Sequence, residues 1–335
     1  MSVKEELPES VAKMLGSAIT TQFASLNREG APVDTPLLVF PSEDLSTINV
    51  ATGLAYPAKA ERARRNPRVG LFIQGGPEEP VVSVAGMAAV RDGDIQANAL
   101  RYIAEVGGYG SSVTYDWDVA RHAVWYWSRM IIEVTPRQIL WWDNAAAMDA
   151  PPRRWQAPAD TRFPASDKAP EARATKAPSW PAVAWQDYIQ EFLDRNARGF
   201  VTRVDGDGFP LPMPARSVRV VDGVLELDMP RDVPWPAATG APACFTYEGR
   251  LTLIGSLSGS GEETRFAVER MLPILPLVKD GDQVWKPAAD TKAALMTRLG
   301  EELARRGQAI PVIPAQKPRS TPGGLRRQAR AEGRA

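Results

Sequence analysis

The sequence predicts a mainly β protein with some helix (α+β), arranged as two tandem six-stranded split β-barrels with short peripheral helices. Apolar runs of strand length recur from Thr21 to Trp142 and again from Gly199 onward, with turn residues between them. A stretch rich in Ala, Pro and charge, residues 148–180, separates the two halves and has no periodicity, so it reads as an extended linker. With 335 residues, 44% of them hydrophobic, the chain has material for two cores of about 130 to 150 residues each. The expected organisation is a first barrel over 1–147, the linker over 148–180, a second barrel over 181–314 and a disordered basic tail over 315–335.

In the first half, Thr21–Asn27 and Val33–Phe40 read as a hairpin turning at Arg28-Glu29-Gly30. Ile48–Thr52 is a third strand, Ala58–Arg65 a short helix stopped by Pro67, and Arg68–Gln74 a fourth strand. Val81–Arg91 alternates as a fifth strand, and Ile95–Val106 has helical spacing up to Gly107-Gly108. A helix over Trp117–Trp127 then leads to a strand pair, Met130–Val134 and Gln138–Trp142, with Pro136 at the turn.

The second half repeats this order. A helix at Trp185–Arg195 precedes strands at Gly199–Val204, Ala215–Val221, Val224–Met229, Cys244–Tyr247 and Leu251–Leu257, and Glu263–Leu272 is expected to be helical. The turn at Asp205-Gly206-Asp207-Gly208 matches the first half's turn at Gly30, which points to internal duplication. The duplication omits one element. Where the first half has YPAKAERARRNP, the second has RDVPWPAATGAP, whose prolines and glycine exclude the helix and with it the lysine.

Composition excludes several function classes. The formal net charge is zero and the pI about 6.7, so no global charge draws the chain to nucleic acid or an anionic membrane. No secretory apolar region and no run of about 20 apolar residues is present, which with the single cysteine, Cys244, leads us to expect a cytoplasmic protein. One His and one Cys make a zinc site of soft ligands untenable, and no metal is expected. His122 lies in DVARHAVWYW, where a lone imidazole reads as an exposed or satisfied helix residue rather than a general acid, although a haem would have to use it. Cys244, in the apolar strand PACFTY, reads as inert core.

The segment Ile48–Gln74 is the chemically richest. A strand ending at Thr52-Gly53 and a helix opening after Pro57 bring free backbone N–H groups, a hydroxyl and the Lys59 ammonium toward one point, which suits a phosphate. The plain alternative is that Lys59, Arg62, Arg64 and Arg65 form a solvated helix face.

On these residues the first half resembles the FMN-binding split barrels of the pyridoxamine 5'-phosphate oxidase-like superfamily. The similarity lies in ATGLAYPAKAERARRNPRVGLFIQ, in the hairpin SLNREGAPVDTPLLVF and in the closing segment VTPRQILWWDN, over most of residues 15–145. The resemblance implies that Thr52, Ala58, Lys59 and, less directly, Arg62 and Arg65 hold a flavin phosphate. It implies that Pro36, Leu37 and Leu38 line the isoalloxazine ring, that Gln74 reaches its edge, and that Trp142 approaches it from a partner barrel. Trp141 and Trp142 alternate along a strand, so one of them is core. Ala58 stands where the family keeps an arginine, which leaves room for a deazaflavin in place of FMN.

Arg216 and Arg219 could add positive charge to a shared site or simply line an exposed strand face. The Gly107–Ser112 loop suits either a lid or a plain connection, and the aromatics Trp117, Trp125, Tyr126 and Trp127 suit a substrate roof or an interface. Single-barrel relatives pair two-fold around their cofactor, so this chain is expected either as a homodimer or as an intrachain pseudo-dimer in which the second barrel walls the site. The implied activity is an FMN-dependent oxidoreductase acting on a small planar substrate or using NAD(P)H. The alternatives are a deazaflavin-dependent reductase and a non-catalytic flavin- or haem-binding protein; no catalytic residue is assigned.

Overall fold

The computed structural model describes residues 2–107, 116–171, 184–195, 197–236, 239–247, 251–273 and 285–333. Residues 108–112 of the glycine-rich loop and 172–183, which include the end of the expected linker, lie outside them. Among the described residues no helix is long and apolar enough to cross a membrane.

Two helices, α1 (Val3–Glu6) and α2 (Glu9–Ser17), precede the first barrel, in which β1 (Thr20–Leu26) and β2 (Pro32–Pro41) form the expected hairpin. β3 (Ile48–Gly53), α3 (Ala58–Arg65), β4 (Arg68–Gln74), β5 (Val81–Arg91) and α4 (Ile95–Val106) follow as expected. The predicted helix over 117–127 is instead two single turns, α5 (Trp117–Ala120) and α6 (Val124–Trp127). The break allows Trp125 and Trp127 both to be buried, with the Trp127 indole N–H donating to the Ala120 carbonyl at 2.7 Å.

The predicted strand pair around Pro136 is one strand, β6 (Arg129–Trp142). Pro136 is accommodated by a bulge, where pairing with β5 jumps from Ala85↔Gln138 to Gly86↔Pro136 and leaves Arg137 unopposed. β3 pairs with both β2 and β6, closing the six strands into a barrel around Phe23, Val50, Leu71, Val84 and Ile132. The linker region is extended but not detached. It adds β7 (Arg153–Gln156) beside β6, and Asp167 accepts the backbone N–H groups of Asp92 and Gly93 at 2.9 and 2.8 Å.

After α7 (Trp185–Asp194), β8 (Gly199–Val204) and β9 (Pro210–Pro214) form a hairpin, and the chain breaks at Ala215-Arg216 before β10 (Ser217–Val221). β11 (Val224–Asp228), β12 (Ala241–Tyr247), β13 (Leu251–Ser258) and β14 (Thr264–Met271) complete an open sheet in the order β10-β11-β14-β13-β12-β8-β9. Taken together, β9 and β10 occupy the place of β2, so this curled sheet has the first barrel's strand order with its second strand cut in two. The expected helix over 263–272 is therefore a correction: Thr264 and Phe266 are buried while Arg265 and Ala267 are exposed, a period of two. Among the described residues no helix lies between β11 and β12, as the sequence predicts.

Duplication is visible atom by atom in the two hairpins. Asn27 Oδ1 accepts from the N–H groups of Glu29 and Ala31, and Asp205 Oδ1 accepts from Asp207 and Phe209, residues at the same offsets. Gly30 and Gly208, both at left-handed φ of 82° and 86°, complete the two turns. Registers Leu26↔Pro32 and Val204↔Pro210 then equate Asp34 with Pro212 and Gly70 with Cys244.

The barrels pack through these equivalent residues about a pseudo-two-fold axis. Asp34 rests on Thr202 and Cys244, and Pro212 rests on the Ala24–Gly70 pair. A Cβ on Gly70 would lie 1.7 Å from the Pro210 carbonyl oxygen. Gly70→Ala is therefore expected to cost about 1–3 kcal/mol by forcing the seam apart, measured as a lowered urea midpoint; an unchanged midpoint would show that the two barrels do not meet there.

The C-terminal segment departs most from expectation. Residues 285–305, assigned to the second barrel, return to the first: Trp285, Leu295, Leu299 and Leu303, the last three on α8 (Ala289–Arg305), join its core. Trp285 stacks on Trp127 at 5.2 Å. The expected disordered tail contains α9 (Pro322–Ala331), capped by Thr321, whose Arg327 is fully buried on Glu105. Apolar content was too low to predict order here. Carboxylates of the first barrel supply it instead, with Arg326 on Glu43 and Arg330 on Glu79.

Candidate functional site

β3 is buried throughout and ends against Tyr56, whose ring folds over Gly53 so closely that a Cβ there would meet it at 2.4 Å. Thr52 is buried, and its hydroxyl donates to the Tyr56 carbonyl at 3.3 Å. The Tyr56 hydroxyl in turn accepts from Arg129 at 3.2 Å. Arg129 opens β6 directly opposite Gly53, is 5% exposed, and lies over the rings of Tyr126 and Tyr102 at 4.0 and 4.6 Å. Its Nε has no hydrogen-bond partner.

The first turn of α3 adds the half-buried Lys59 beside this arginine, and Arg62 one turn on donates through Nε to the Ser25 hydroxyl at 2.9 Å. Among the described residues none of Lys59, Arg62 and Arg129 has a carboxylate partner in an ion pair. Burial, with Arg62 and Arg129 adding to it, depresses the Lys59 ammonium to about 8. Burial likewise lowers Arg62, to about 10. Three cations gathered without an anion form a site for one.

The other basic residues of α3 are spent on structure. Arg64 pairs with Asp92 at 2.7 Å, and Arg65 donates to the Leu26 carbonyl at 3.5 Å, so neither belongs to a freely solvated face. Ala58 is exposed and carries no donor side chain.

The expected ring-lining residues divide between faces. Strand alternation sends Pro36 and Leu38 to one side of β2 and Leu37 to the other, so the three cannot all line one slot. All three are half-buried, and Pro36 lies across from Gln22, which is itself opposite Phe72. Phe72 meets Phe200 of the second barrel at 5.7 Å, placing this face at the seam. Two buried polar atoms beside Pro36, Gln22 Oε1 and Thr35 Oγ1, have no partner.

Gln74 lies four residues along β4 from Gly70, roughly 13 Å, and lines a different cavity, on the second barrel, with its buried Oε1 unpartnered. Trp142, level with Val81 and Gln74 across the sheet, is buried in the core between the barrels and donates its indole N–H to the Ala150 carbonyl at 2.9 Å. Trp141 points into the first barrel, so these neighbours divide between the two cores.

His122 is exposed on the turn between α5 and α6. Cys244 is fully buried, accepts a hydrogen bond from the Asp34 N–H at 3.4 Å, and its thiol is pushed well up by burial, as inert core requires. Tyr126 and Trp127 pack against Trp285, so the aromatic group forms an interface with the C-terminal segment.

Arg129 was missed by sequence reasoning because its place is set by the β3–β6 pairing, which sets Arg129 opposite Gly53, far away in sequence. The available signal was an arginine opening an otherwise apolar strand directly after WYWS.

No protein-family model matches the chain, and no curated protein matches it. Solved structures do. General Stress Protein 26 from Bacillus anthracis str. Sterne is 15% identical over 44% of this chain and 97% of that one, with a TM-score of 0.29. A pyridoxamine 5'-phosphate oxidase-related, FMN-binding protein from Nostoc punctiforme is 14% identical over 45% of this chain and 82% of its own, with a TM-score of 0.30. A NimC/NimA family protein from Clostridium acetobutylicum is 13% identical over 44% and 92%, with a TM-score of 0.31. Each of these likenesses covers less than half of this chain, whose own strands form two barrel-like sheets in tandem.

Proposed function

We propose that this chain is an FMN-dependent oxidoreductase that binds one flavin at the barrel seam and acts on a small planar substrate, with NAD(P)H as a reductant. The observation that carries the reading is the cluster of Lys59, Arg62 and Arg129 without a carboxylate, beside the first turn of α3. These residues would hold the phosphate, with Thr52 and Tyr56 fixing the strand end beneath it. The unpartnered Gln22 amide oxygen, on the same face as Pro36, offers a hydrogen bond to a polar ring edge, whereas Thr35 faces the other side of β2. Bound flavin supplies hydride transfer at its N5; the protein's part is to bind, orient and exclude water.

Absorbance and mass identification of the copurified chromophore test this directly. Lys59→Ala is expected to lower flavin occupancy at least ten-fold, and Arg129→Met to do the same while leaving Lys59 in place. Wild-type occupancy in both would sink the phosphate assignment. Phosphate affinity should be highest between about pH 6, below which the phosphate takes up its second proton, and about pH 8, above which the ligand-free ammonium loses its own.

Ala58 favours a second reading, a deazaflavin: the site lacks a cation at the first helical position, where the resembling family keeps one. The chromophore's spectrum separates the two, as does its reduction by NADPH compared with a reduced deazaflavin. A haem reading would require His122, which the fold places at an exposed turn outside the cation cluster.

A further inference from the structure

We propose that the second barrel carries a ligand site of its own, a groove that takes a flat apolar carboxylate bearing a hydroxyl or amino group and no phosphate. The groove opens where the strand equivalent to β2 is cut at Ala215-Arg216, and its cavity volume is about 810 Å³, ample for a two-ring molecule. By the hairpin registers, Pro214, Ala215 and Arg216 at its wall are the pseudo-symmetric images of Pro36, Leu37 and Leu38. Among the described residues only the first barrel has a helix, α3, after its third strand, so the groove has no equivalent helix N-terminus beside it to hold a phosphate.

The lining specifies the ligand. Met148, Leu193, Val218 and Tyr247 supply apolar surface, and Tyr247 is held flat by stacking on Phe192 at 5.1 Å with 3° between the rings. Two of the three arginines are neutralised: Arg216 pairs with Asp149 and Asp228, and Arg219 with Glu226 at 3.3 Å. Arg198, exposed at the groove's rim, has no carboxylate partner among the described residues, so a ligand carboxylate meets an uncommitted guanidinium. Gln74 Oε1, buried at the wall and unpartnered, calls for a donor on the same ligand. Gln74 and Ala145 come from the first-barrel half of the chain, so the groove is completed only when the two halves are docked.

The test is calorimetric titration of the full chain with 6-hydroxy-2-naphthoate, and with 6-hydroxy-2-naphthamide as the uncharged isostere. One naphthoate per chain is expected, bound about ten-fold more tightly than the amide. Arg198→Gln should erase that preference while leaving copurified chromophore absorbance unchanged, and Ser217→Trp, on the exposed face of β10, should block both probes. Equal affinity of acid and amide for the wild type, or undiminished naphthoate binding to Arg198→Gln, would overturn the proposal. So would competition by FMN with the same stoichiometry, which would make the groove a second flavin site.

Discussion

Arg306→Ala is expected to destabilise the protein by about 3–5 kcal/mol, the cost of breaking a buried ion pair by removing one partner. Arg306, at the end of α8, is almost wholly buried and meets three carboxylates: Asp92 at 3.0 Å, Glu61 at 3.3 Å, and Glu302. Arg305 shares Glu302 and Glu61 at 3.0 and 3.3 Å, and Arg64 shares Asp92 at 2.7 Å. Three guanidinium groups and three carboxylates meet here, with Arg306, Glu302 and Asp92 almost wholly buried and Glu61 at the wetter edge. Deleting Arg306 leaves Glu302, with no exposed surface, and Asp92, 3% exposed, short of a partner.

Arg306→Lys should recover only part of the loss, since one ammonium cannot serve three acceptors spread around a planar fork. Chemical denaturation monitored by tryptophan fluorescence measures both variants. A loss under about 1 kcal/mol for the alanine variant would show that the network is hydrated and that α8 is held by Leu295, Leu299 and Leu303 alone. The same network reaches the site, because Glu61 and Arg64 lie on α3 between Lys59 and Arg65. Loosening it should also lower flavin occupancy in proportion to the freedom α3 gains.

These two roles of α3 show where the sequence could be read and where it could not. The helix, its neighbours β4 and β5, and α4 were legible to the residue because their stops are local: Pro67 after the helix, and Asp94 as a cap that accepts from the Ala97 N–H at 2.8 Å. β14 was misread because Glu263 to Leu272 offers no turn signal, and its alternation emerges only when Phe266 is seen between β13 and β11. The return of residues 285–333 to the first barrel could not be read at all. Its anchors, Arg306 on Asp92 and Arg327 on Glu105, join residues more than two hundred positions apart, and a basic, Pro-rich composition reads as solvated until the carboxylates opposite are known. The site shows the same division. Lys59 and Thr52 are adjacent to a strand–helix turn and could be named, whereas Arg129 and the Asp34 seam are set by pairings between distant strands.

That seam carries the second large expectation: stability should fall by about 4 kcal/mol as pH rises from about 4 to 7, and Asp34→Asn should abolish the fall. Asp34 is fully buried between the barrels, and burial pushes its carboxyl up to about 7, against which the Thr202 hydroxyl bond at 3.2 Å is the main opposing influence. Its Oδ1 has no partner, and the neighbouring Cys244 thiol is itself held neutral by burial. Among the described residues Asp34 has no ion-pair partner, and Arg62, near the neighbouring Cys244, donates to Ser25. An acid whose folded-state pKa lies above its unfolded value of 3.8 favours folding while protonated, so its contribution is present below about pH 4 and lost through about pH 7. The asparagine variant keeps the shape and a donor for the seam without the charge. It should match the wild type near pH 4, exceed it by several kcal/mol at pH 8, and show a flat profile between, read from urea midpoints across that range. A wild-type profile that stays level from pH 4 to 8 would mean that Asp34 is ionised in the folded protein and that a cation or water reaches the seam. Because this carboxyl joins β2 of one barrel to β8 and β12 of the other, the pH at which it ionises is also the pH at which the pseudo-symmetric pairing of the two barrels is weakened.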